Sequence, residues 1–245
     1  MDTQSLLGVR ISVGTKDELL QAARSLVGVG GRVYTVNPLM LVEASRDVAM
    51  REVLNRATLC IPDGVGVRRT FLARGVYTDV LCGVDLGAEL LAAGGSVGFV
   101  GGAPGVCEEA FARLSRRYPT LSAAFLLDGY TFDEEDVVRR LRATRPSFLY
   151  VCLGTPQQER MIDRWAQVSP STLCMGLGGS FDVYAGRVRR APSFMRQWGC
   201  EWLWRMLCQP RRLRRIPALG RYMYLSMVEN RQINCTKKGK RSEKK

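Results

Sequence analysis

Short apolar runs recur along the first 180 residues of this 245-residue chain and alternate with segments of helical periodicity. The helical segments, such as 106–118 and 134–144, place apolar residues three and four positions apart. Strand-like runs that alternate with helices are typical of βαβ units and a mainly parallel sheet. The pattern predicts an α/β, Rossmann-like fold with the sheet flanked by helices, and a further strand or short hairpin near residues 11–13. The apolar runs are residues 32–36, 57–61, 96–100, 123–127, 148–153 and 172–177.

Each apolar run ends in small, polar or turn-forming residues. In open α/β sheets, ligands bind beyond the carboxyl ends of the strands. These loops would therefore meet at one edge and enclose a shared pocket, although each of them also suits an ordinary turn. The loops are 37–38, 63–64, 101–105, 128–130, 154–159 and 178–182.

The chain changes character after Pro192. Residues 194–208 have the spacing of an amphipathic helix, and an arginine-rich segment follows them. We predict three parts: an α/β body over 1–192, a C-terminal basic helical appendage over 193–234 that meets membrane and acceptor, and a disordered basic tail over 235–245.

Positive charge is concentrated at the C-terminal end. Residues 196–245 hold 14 of the 36 lysines and arginines but 3 of the 23 acidic residues, in a chain of net charge +13. Such asymmetry usually indicates contact with a polyanion, whether nucleic acid, an anionic membrane face or phosphate groups. In residues 196–231 aromatic and apolar side chains interleave with the arginines, which favours such a contact over a merely solvated segment.

The amino-acid composition limits which side chains could bind a metal or act as a general base. The chain has no histidine, and its eight cysteines form no Cys-x-x-Cys pair, so we expect no structural zinc site and a reducing cytosol as the setting. No apolar run approaches the ~20 residues of a membrane-spanning helix. Without histidine, an enzyme that moves protons near neutral pH needs another base. Asp63, where an apolar strand breaks into a glycine turn, is the best-placed candidate.

Three further loops contain residues suited to a nucleotide. The glycine turn at Gly101 and Gly102 precedes a helix start, whose exposed amides suit phosphate. Its glycine spacing differs from the dinucleotide fingerprint, which disfavours a nicotinamide enzyme. Asp128 and Asp182 could accept hydrogen bonds from a base or a ribose, and Tyr130 could lie flat against a base. All of these residues also suit plain turns or helix caps.

Gln158 and Glu159 would open a helix at the same edge. Gln158 has donors and an acceptor that could orient a sugar hydroxyl, whereas Glu159 would complement the helix dipole. The chain contains no Asp-x-Asp pair, the usual carboxylate clamp for a metal–nucleotide complex. Cationic side chains or helix ends would then have to stabilise a leaving diphosphate, and we expect no metal or other cofactor.

Short motifs punctuate the chain in a fixed order, among them Asp-Gly-Val-Gly-Val at 63–67 and Gly-Thr-Pro-Gln-Gln-Glu at 154–159. The others are 35–38, 83–86, 99–102, 118–119, 128–130, 176–182, 190–192, 201–205 and 210–215. In these motifs the chain resembles the WecG/TagA/CpsF glycosyltransferases, over about residues 7–215. So many motifs in the right order argue against a chance match.

The resemblance implies an inverting, metal-independent transferase, peripheral on the inner, cytoplasmic face of the cell membrane. Such enzymes move a sugar from a UDP-sugar to a polyprenyl-diphosphate-linked sugar during surface polymer synthesis. In teichoic-acid relatives the sugar is N-acetylmannosamine, and the acceptor is N-acetylglucosamine on undecaprenyl diphosphate. An N-acetylmannosaminuronic acid or glucuronic acid donor, in exopolysaccharide synthesis, is the alternative. The resemblance also permits a homo-oligomer.

The resemblance carries particular roles over by motif. Asp63 would be the general base. Three groups of residues would contact the ligands: Thr35, Asn37 and Gln158 the sugar; Gly101, Gly102, Asp128, Gly129, Tyr130, Gly178 and Asp182 the nucleotide; and Arg205, Arg212 and Arg215 the acceptor diphosphate at the membrane.

Two positions depart from the family pattern. Relatives often carry an arginine shortly before the Gly-x-Asp-Leu motif, where this chain has Asp-Val-Leu-Cys at 79–82, and commonly a lysine where Gln157 stands. Both differences remove positive charge near the expected diphosphate and leave donor and acceptor identity open. A nucleic-acid-binding protein and a non-catalytic UDP-sugar sensor rank below the transferase. Nucleic acid is not expected as a partner, because the arginines cluster beside tryptophans and the body has a rim of carboxylates.

Overall fold

A computed structural model of the chain describes residues 1–192, 195, 201–208 and 210–242. The chain opens with an antiparallel hairpin of β1 (Asp2–Leu6) and β2 (Val9–Val13), as predicted near residues 11–13. Leu7 and Gly8 form its two-residue turn with φ of 51° and 78°. Positive φ at both central residues is typical of the turns that match the twist of paired strands.

Six parallel strands form the central sheet. They are β3 (Gly31–Val36), β4 (Leu59–Pro62), β5 (Gly95–Gly101), β6 (Leu121–Leu127), β7 (Phe148–Cys152) and β8 (Leu173–Gly176). Their order across the sheet is β4, β3, β8, β7, β5, β6. Because every strand runs in the same direction, all six carboxyl ends share one edge, called here the carboxyl edge. The α/β, Rossmann-like fold class is confirmed.

Helices cover both faces of this sheet. The first face carries α2 (Pro38–Arg46), α3 (Val48–Asn55), α4 (Val65–Leu72), α7 (Glu134–Thr144) and α8 (Gln157–Val168); the second carries α1 (Lys16–Arg24), α5 (Gly83–Leu91), α6 (Val106–Arg117) and α9 (Ser180–Tyr184). Successive strand residues supply the two cores in turn: Tyr34 and Val36 pack into the first, and Val33 into the second. Burial on both faces explains why the strands are continuous apolar runs rather than alternating ones.

The connections leave a crevice between β3 and β8. After β3 the chain enters α2 on the first face, and after β8 it enters α9 on the second. Neighbouring strands whose following helices leave to opposite faces open a crevice at the carboxyl edge, where ligands bind in such sheets. Asn37, directly after β3, and Gly178, just after β8, flank it.

The C-terminal segment is helical and packs on the body. It comprises α10 (Glu201–Cys208), a 3-10 helix (Pro210–Arg215) and α11 (Ile216–Ser242). Helix α11 contacts α2 and α4. It continues to Ser242, into the segment 235–245 for which the sequence predicts disorder, and the division into three parts stays a prediction. Among the helices that the structure describes, none combines the length and apolarity needed to cross a bilayer.

Candidate active site

Asp63 lies at the carboxyl edge immediately after β4 and beside the end of β3. Its backbone N–H donates to Val36 O at 2.9 Å, which continues the pairing of the two strands by one residue. Gly64 follows with φ +85° and starts α4 without a side-chain cap, a conformation that glycine adopts at no steric cost. The Asp63 side chain is half-buried, so a carboxylate stands next to the crevice and remains accessible to a ligand.

Asn37 follows β3 as Asp63 follows the neighbouring β4, and its side chain caps a helix. Its Oδ1 accepts from Leu39 N at 3.0 Å and Met40 N at 3.2 Å, which caps the N-terminus of α2. With the oxygen committed to the cap, Nδ2 is the group through which Asn37 would meet a sugar.

Thr35 is buried, with 7% of its surface exposed. It pairs in register with Ile61 of β4 and lies beneath the start of α5. A Cβ placed on Gly83 would be 2.8 Å from Thr35 Oγ1, so the absence of a side chain at Gly83 is what lets α5 begin directly above this hydroxyl. Any ligand would reach Thr35 from the end of the strand.

Gln158 is also buried, with 4% of its surface exposed. Its Oε1 accepts from Gly154 N at 3.2 Å and from Gly178 N at 3.0 Å. Its Nε2 donates to Glu159 Oε1 at 2.7 Å. Gln158 therefore joins the loops after β7 and β8, a role that spacing in the sequence did not indicate.

The glycine loops after β5 and β6 are packed closely against β7. A Cβ on Gly101, which has φ +131°, would lie 2.4 Å from Cys152 O, so only glycine fits there. Gly102 N donates to Cys152 O at 3.2 Å, and Gly129 N donates to Gly102 O at 2.8 Å. These contacts hold the two loops together at the carboxyl edge.

Asp128 shapes its own loop. Its Oδ1 accepts from Tyr130 N at 2.8 Å and Thr131 N at 2.9 Å, and the Thr131 hydroxyl donates to Oδ2. These hydrogen bonds, the Thr131 hydroxyl first, lower the pKa of Asp128 below its usual value. The loop presents Tyr130 to solvent with 80% of its surface exposed, in a position open to stacking.

Asp182 lies in the first turn of α9 and is half-buried. Nearby, Arg187 donates two hydrogen bonds to Glu109 of α6, at 2.7 and 2.8 Å. These hydrogen bonds raise the pKa of Arg187, and the negative charge of Asp182 raises it further. A Cβ on Gly105, at the start of α6, would be 3.4 Å from Arg187 Nη2. The guanidinium of Arg187 thus lies beside the N-terminus of α6, where backbone amides suit phosphate.

Arg190 was not predicted as a site residue, yet it joins the body to the C-terminal helices. Its guanidinium donates to both carboxylate oxygens of Asp85 in α5, at 2.5 and 3.0 Å, and to Glu201 Oε2 in α10 at 3.3 Å. The hydrogen bonds to Asp85 are the main cause of its raised pKa. Asp85 is two residues after Gly83, so this ion-pair cluster places α10 near the carboxyl edge.

Helix α11 supports the same region from the first face. The hydroxyl of its buried Tyr222 lies 2.8 Å from Thr70 Oγ1 and donates to Gly66 O at 3.3 Å, both in α4. A Cβ on Gly66 would lie 3.2 Å from Pro38 Cγ and 3.5 Å from Tyr222 Cε1. The starts of α2 and α4, on either side of Asp63, are therefore packed against α11.

The arginines expected at the acceptor diphosphate are described only in part. Arg215 ends the 3-10 helix and is exposed. Arg205 and Arg212 fall within described helices, but their side chains lie outside the described residues, as does Trp198. Within the described part of the chain, no group of three or more acidic or cysteine side chains could hold a metal ion.

Comparison with known proteins assigns the chain to a class and a family. The family model described as "Glycosyl transferase WecG/TagA/CpsF family" matches residues 4–235. A match of this length makes the chain an α/β glycosyl transferase. It belongs to the WecG/TagA/CpsF family, and the resemblance predicted from its motifs is confirmed.

Two curated relatives carry the same name, N-acetylglucosaminyldiphosphoundecaprenol N-acetyl-beta-D-mannosaminyltransferase. The protein from Bacillus spizizenii is 35% identical over 199 residues, which are 79% of this chain and 77% of the relative. The protein from Bacillus subtilis is 30% identical over 208 residues, 83% of this chain and 81% of the relative.

Proposed function

We propose that this chain transfers N-acetylmannosamine from a UDP-sugar to N-acetylglucosamine on undecaprenyl diphosphate, with inversion and without a metal ion, in teichoic-acid-like polymer synthesis. The names of the two relatives support the sugar and the acceptor. The observation that carries the proposal is the half-buried carboxylate of Asp63 at the carboxyl edge, held beside β3 by the bond from its N–H to Val36 O.

The reaction is a single displacement at the anomeric carbon of the donor. The carboxylate of Asp63 accepts the proton of the acceptor hydroxyl as the hydroxyl oxygen attacks that carbon. The bond from the sugar to UDP breaks, and UDP leaves with the bonding electrons. A carboxylate is a weak base in water, so its effect depends on holding the hydroxyl in place and on partial exclusion of water.

The sugar would lie over the ends of β3 and β4. Asn37 is the half-buried member of the three residues predicted here, and its Nδ2 can donate to a sugar hydroxyl. Thr35 and Gln158 are buried. We assign Thr35 to the floor of the pocket and Gln158 to the support of its walls.

The nucleotide would lie along the loops after β5, β6 and β8. The amides at the start of α6 face this region and suit a diphosphate. Asp182, half-buried in the first turn of α9, can accept a hydrogen bond from the uridine. Tyr130, 80% exposed, can stack on the base. Asp128 accepts three hydrogen bonds within its own loop, so we assign it to loop shape.

The C-terminal helices would bring the lipid acceptor to this edge from the inner face of the cell membrane. Their described surface exposes large apolar side chains, each with more than half of its surface accessible: Leu207, Leu213, Ile216, Met223, Tyr224 and Met227. Arg214, Arg221 and Arg231 are exposed among them. Apolar side chains mixed with cations suit an anionic bilayer surface, where each cation contributes ~1 kcal/mol.

Substitution of the proposed base tests the function. Asp63→Asn keeps the size of the side chain and removes its basicity, so turnover with UDP-N-acetylmannosamine and a short-chain prenyl-diphosphate acceptor should fall at least about 100-fold. UDP affinity, measured by calorimetry, should stay unchanged. Asp17→Asn, an exposed carboxylate in α1, is the matched control. Turnover of Asp63→Asn close to that of Asp17→Asn would exclude Asp63 as the base.

A further inference from the structure

Glu159 is a buried carboxyl group that the proposed reaction does not use. It has no exposed surface, although it lies in the first turn of α8 at the carboxyl edge. Its Oε1 accepts from Gln158 Nε2 at 2.7 Å and from Thr155 Oγ1 at 3.1 Å. Its Oε2 is buried and has no hydrogen-bond partner among the described residues. Burying such a group costs free energy, so its place in the fold needs a physical explanation.

The neighbouring amide of Gln158 can bind its partners in one orientation. Oε1 accepts from Gly154 N and Gly178 N, while Nε2 lies over Gly176, where a Cβ would be 2.9 Å away. A half-turn of the amide would set its NH₂ group against two N–H donors and its oxygen against the oxygen of Glu159. The two N–H donors and the acceptor on Glu159 together therefore hold Gln158 in this orientation.

These hydrogen bonds meet beside the crevice. Gly154 belongs to the loop after β7, and Gly178 belongs to the loop after β8 that leads to Asp182. The hydroxyl of Tyr34 in β3 donates to the backbone oxygen of Glu159 at 3.2 Å. Glu159 thus stands where three neighbouring strands end, one residue from the amide that joins two of their loops.

Burial away from water disfavours the charged form of the Glu159 side chain. Burial raises the pKa of Glu159 above its usual 4.5. The carboxylate of Asp163, one turn further along α8, lies nearby and is itself paired with Arg32 and Arg56. The neutral form keeps Oε1 as an acceptor for Gln158 without placing an unpaired charge in the interior.

We propose that Glu159 is a positioning residue for the sugar donor: it orients Gln158, and Gln158 holds the loops at Gly154 and Gly178 that bound the crevice. This inference rests on the proposed function, because the UDP-sugar is the ligand that these loops would meet. Glu159 has no exposed surface and acts through Gln158, so it is not a catalytic residue.

Two neutral replacements of similar length separate this role from simple packing. Glu159→Gln keeps an oxygen acceptor for Gln158, and its KM and kcat with UDP-N-acetylmannosamine should stay within about twofold of the wild type, because no hydrogen bond to Gln158 is lost. Glu159→Met removes the acceptor and should raise the KM for the donor about tenfold, the scale of one lost hydrogen bond. The KM for the lipid acceptor should not change. Equal kinetics for the two variants would overturn the proposal.

Hydrogen exchange provides a readout that does not depend on turnover. The amides of Gly154 and Gly178 should exchange about tenfold faster in Glu159→Met than in Glu159→Gln or the wild type. Melting temperatures of both variants establish that they are folded. If the wild type does not use any UDP-sugar but the exchange rates differ as expected, the proposed function fails and loop positioning stands. Unchanged exchange at both glycines would refute the positioning role whatever the activity.

Discussion

A partly buried ion pair contributes to the docking of α11 on the body and can be removed by substitution. The carboxylate of Glu229 accepts from Leu7 N at 3.1 Å through both oxygens and from Arg74 Nη2 at 2.6 Å. Arg74 also donates to Ser5 O at 2.7 Å and to Asn230 Oδ1. The pair thus joins α11, the end of α4 and the N-terminal hairpin.

The cost of Glu229→Ala follows from the burial of the two partners. The Arg74 side chain is 6% exposed and that of Glu229 is 25% exposed. Removing one partner of a fully buried pair costs ~3–5 kcal/mol. Arg74 keeps two other acceptors, so we expect ~2–3 kcal/mol here, which lowers the ratio of docked to undocked α11 roughly 30- to 150-fold. Glu229→Gln, which keeps an acceptor for Leu7 N, should cost about 1 kcal/mol.

Amide hydrogen exchange of residues 216–231 and 2–13 measures the undocking of α11 directly. Glu52→Ala is the matched control, because its side chain is 64% exposed in a loose pair with Arg56 and should change protection by less than about 0.5 kcal/mol. Because α11 packs on α2 and α4, whose starts flank Asp63, turnover should fall as the docked fraction of α11 falls. Equal amide exchange rates in Glu229→Ala and Glu52→Ala would refute the claim that the Arg74–Glu229 pair stabilises the docking of α11.

Three further predictions follow from single features of the structure. Because burial raises the pKa of Glu159 above 4.5, the wild type loses stability as pH rises through that raised pKa. Glu159→Gln does not, so its melting temperature should exceed the wild-type value by a larger margin above pH 4.5 than below it; a constant difference would contradict this. Arg190→Gln should release α10 and increase its tryptic cleavage, with sites in the body unchanged. Replacing Met223, Tyr224 and Met227 together by serine should weaken cosedimentation with anionic vesicles about tenfold or more while leaving UDP affinity intact; wild-type cosedimentation would show that these side chains do not bind the membrane.

The period of apolar residues was enough to predict the architecture. Strands at 32–36 and 96–100 and the helix at 134–144 coincide with β3, β5 and α7 to within a residue or two. This works because a parallel sheet covered on both faces needs short, continuous apolar strands separated by amphipathic helices. The convergence of the loops on one edge also follows from parallel strand direction alone.

The positions of the site residues could be predicted only in part, and their roles stay predictions. The position of Asp63 was predictable because a carboxylate directly after a buried parallel strand emerges at the carboxyl edge. Asn37, Asp128 and Gln158 were equally plausible as ligands or as caps and turns. Each of these three side chains has backbone amides within hydrogen-bonding distance in the folded chain, and their positions along the sequence do not encode that distance.

The sequence by itself determined the strand and helix order, the basic C-terminal end and the family, because these are set by local periodicity, composition and motif order. Tertiary structure alone decided that Glu159 is buried beneath Gln158, that Arg190 joins Asp85 to Glu201, and that Tyr222 packs against Gly66. These contacts join residues from one to 156 positions apart. Burial and pairing depend on which strands become neighbours in the sheet, and that order is a property of the whole fold.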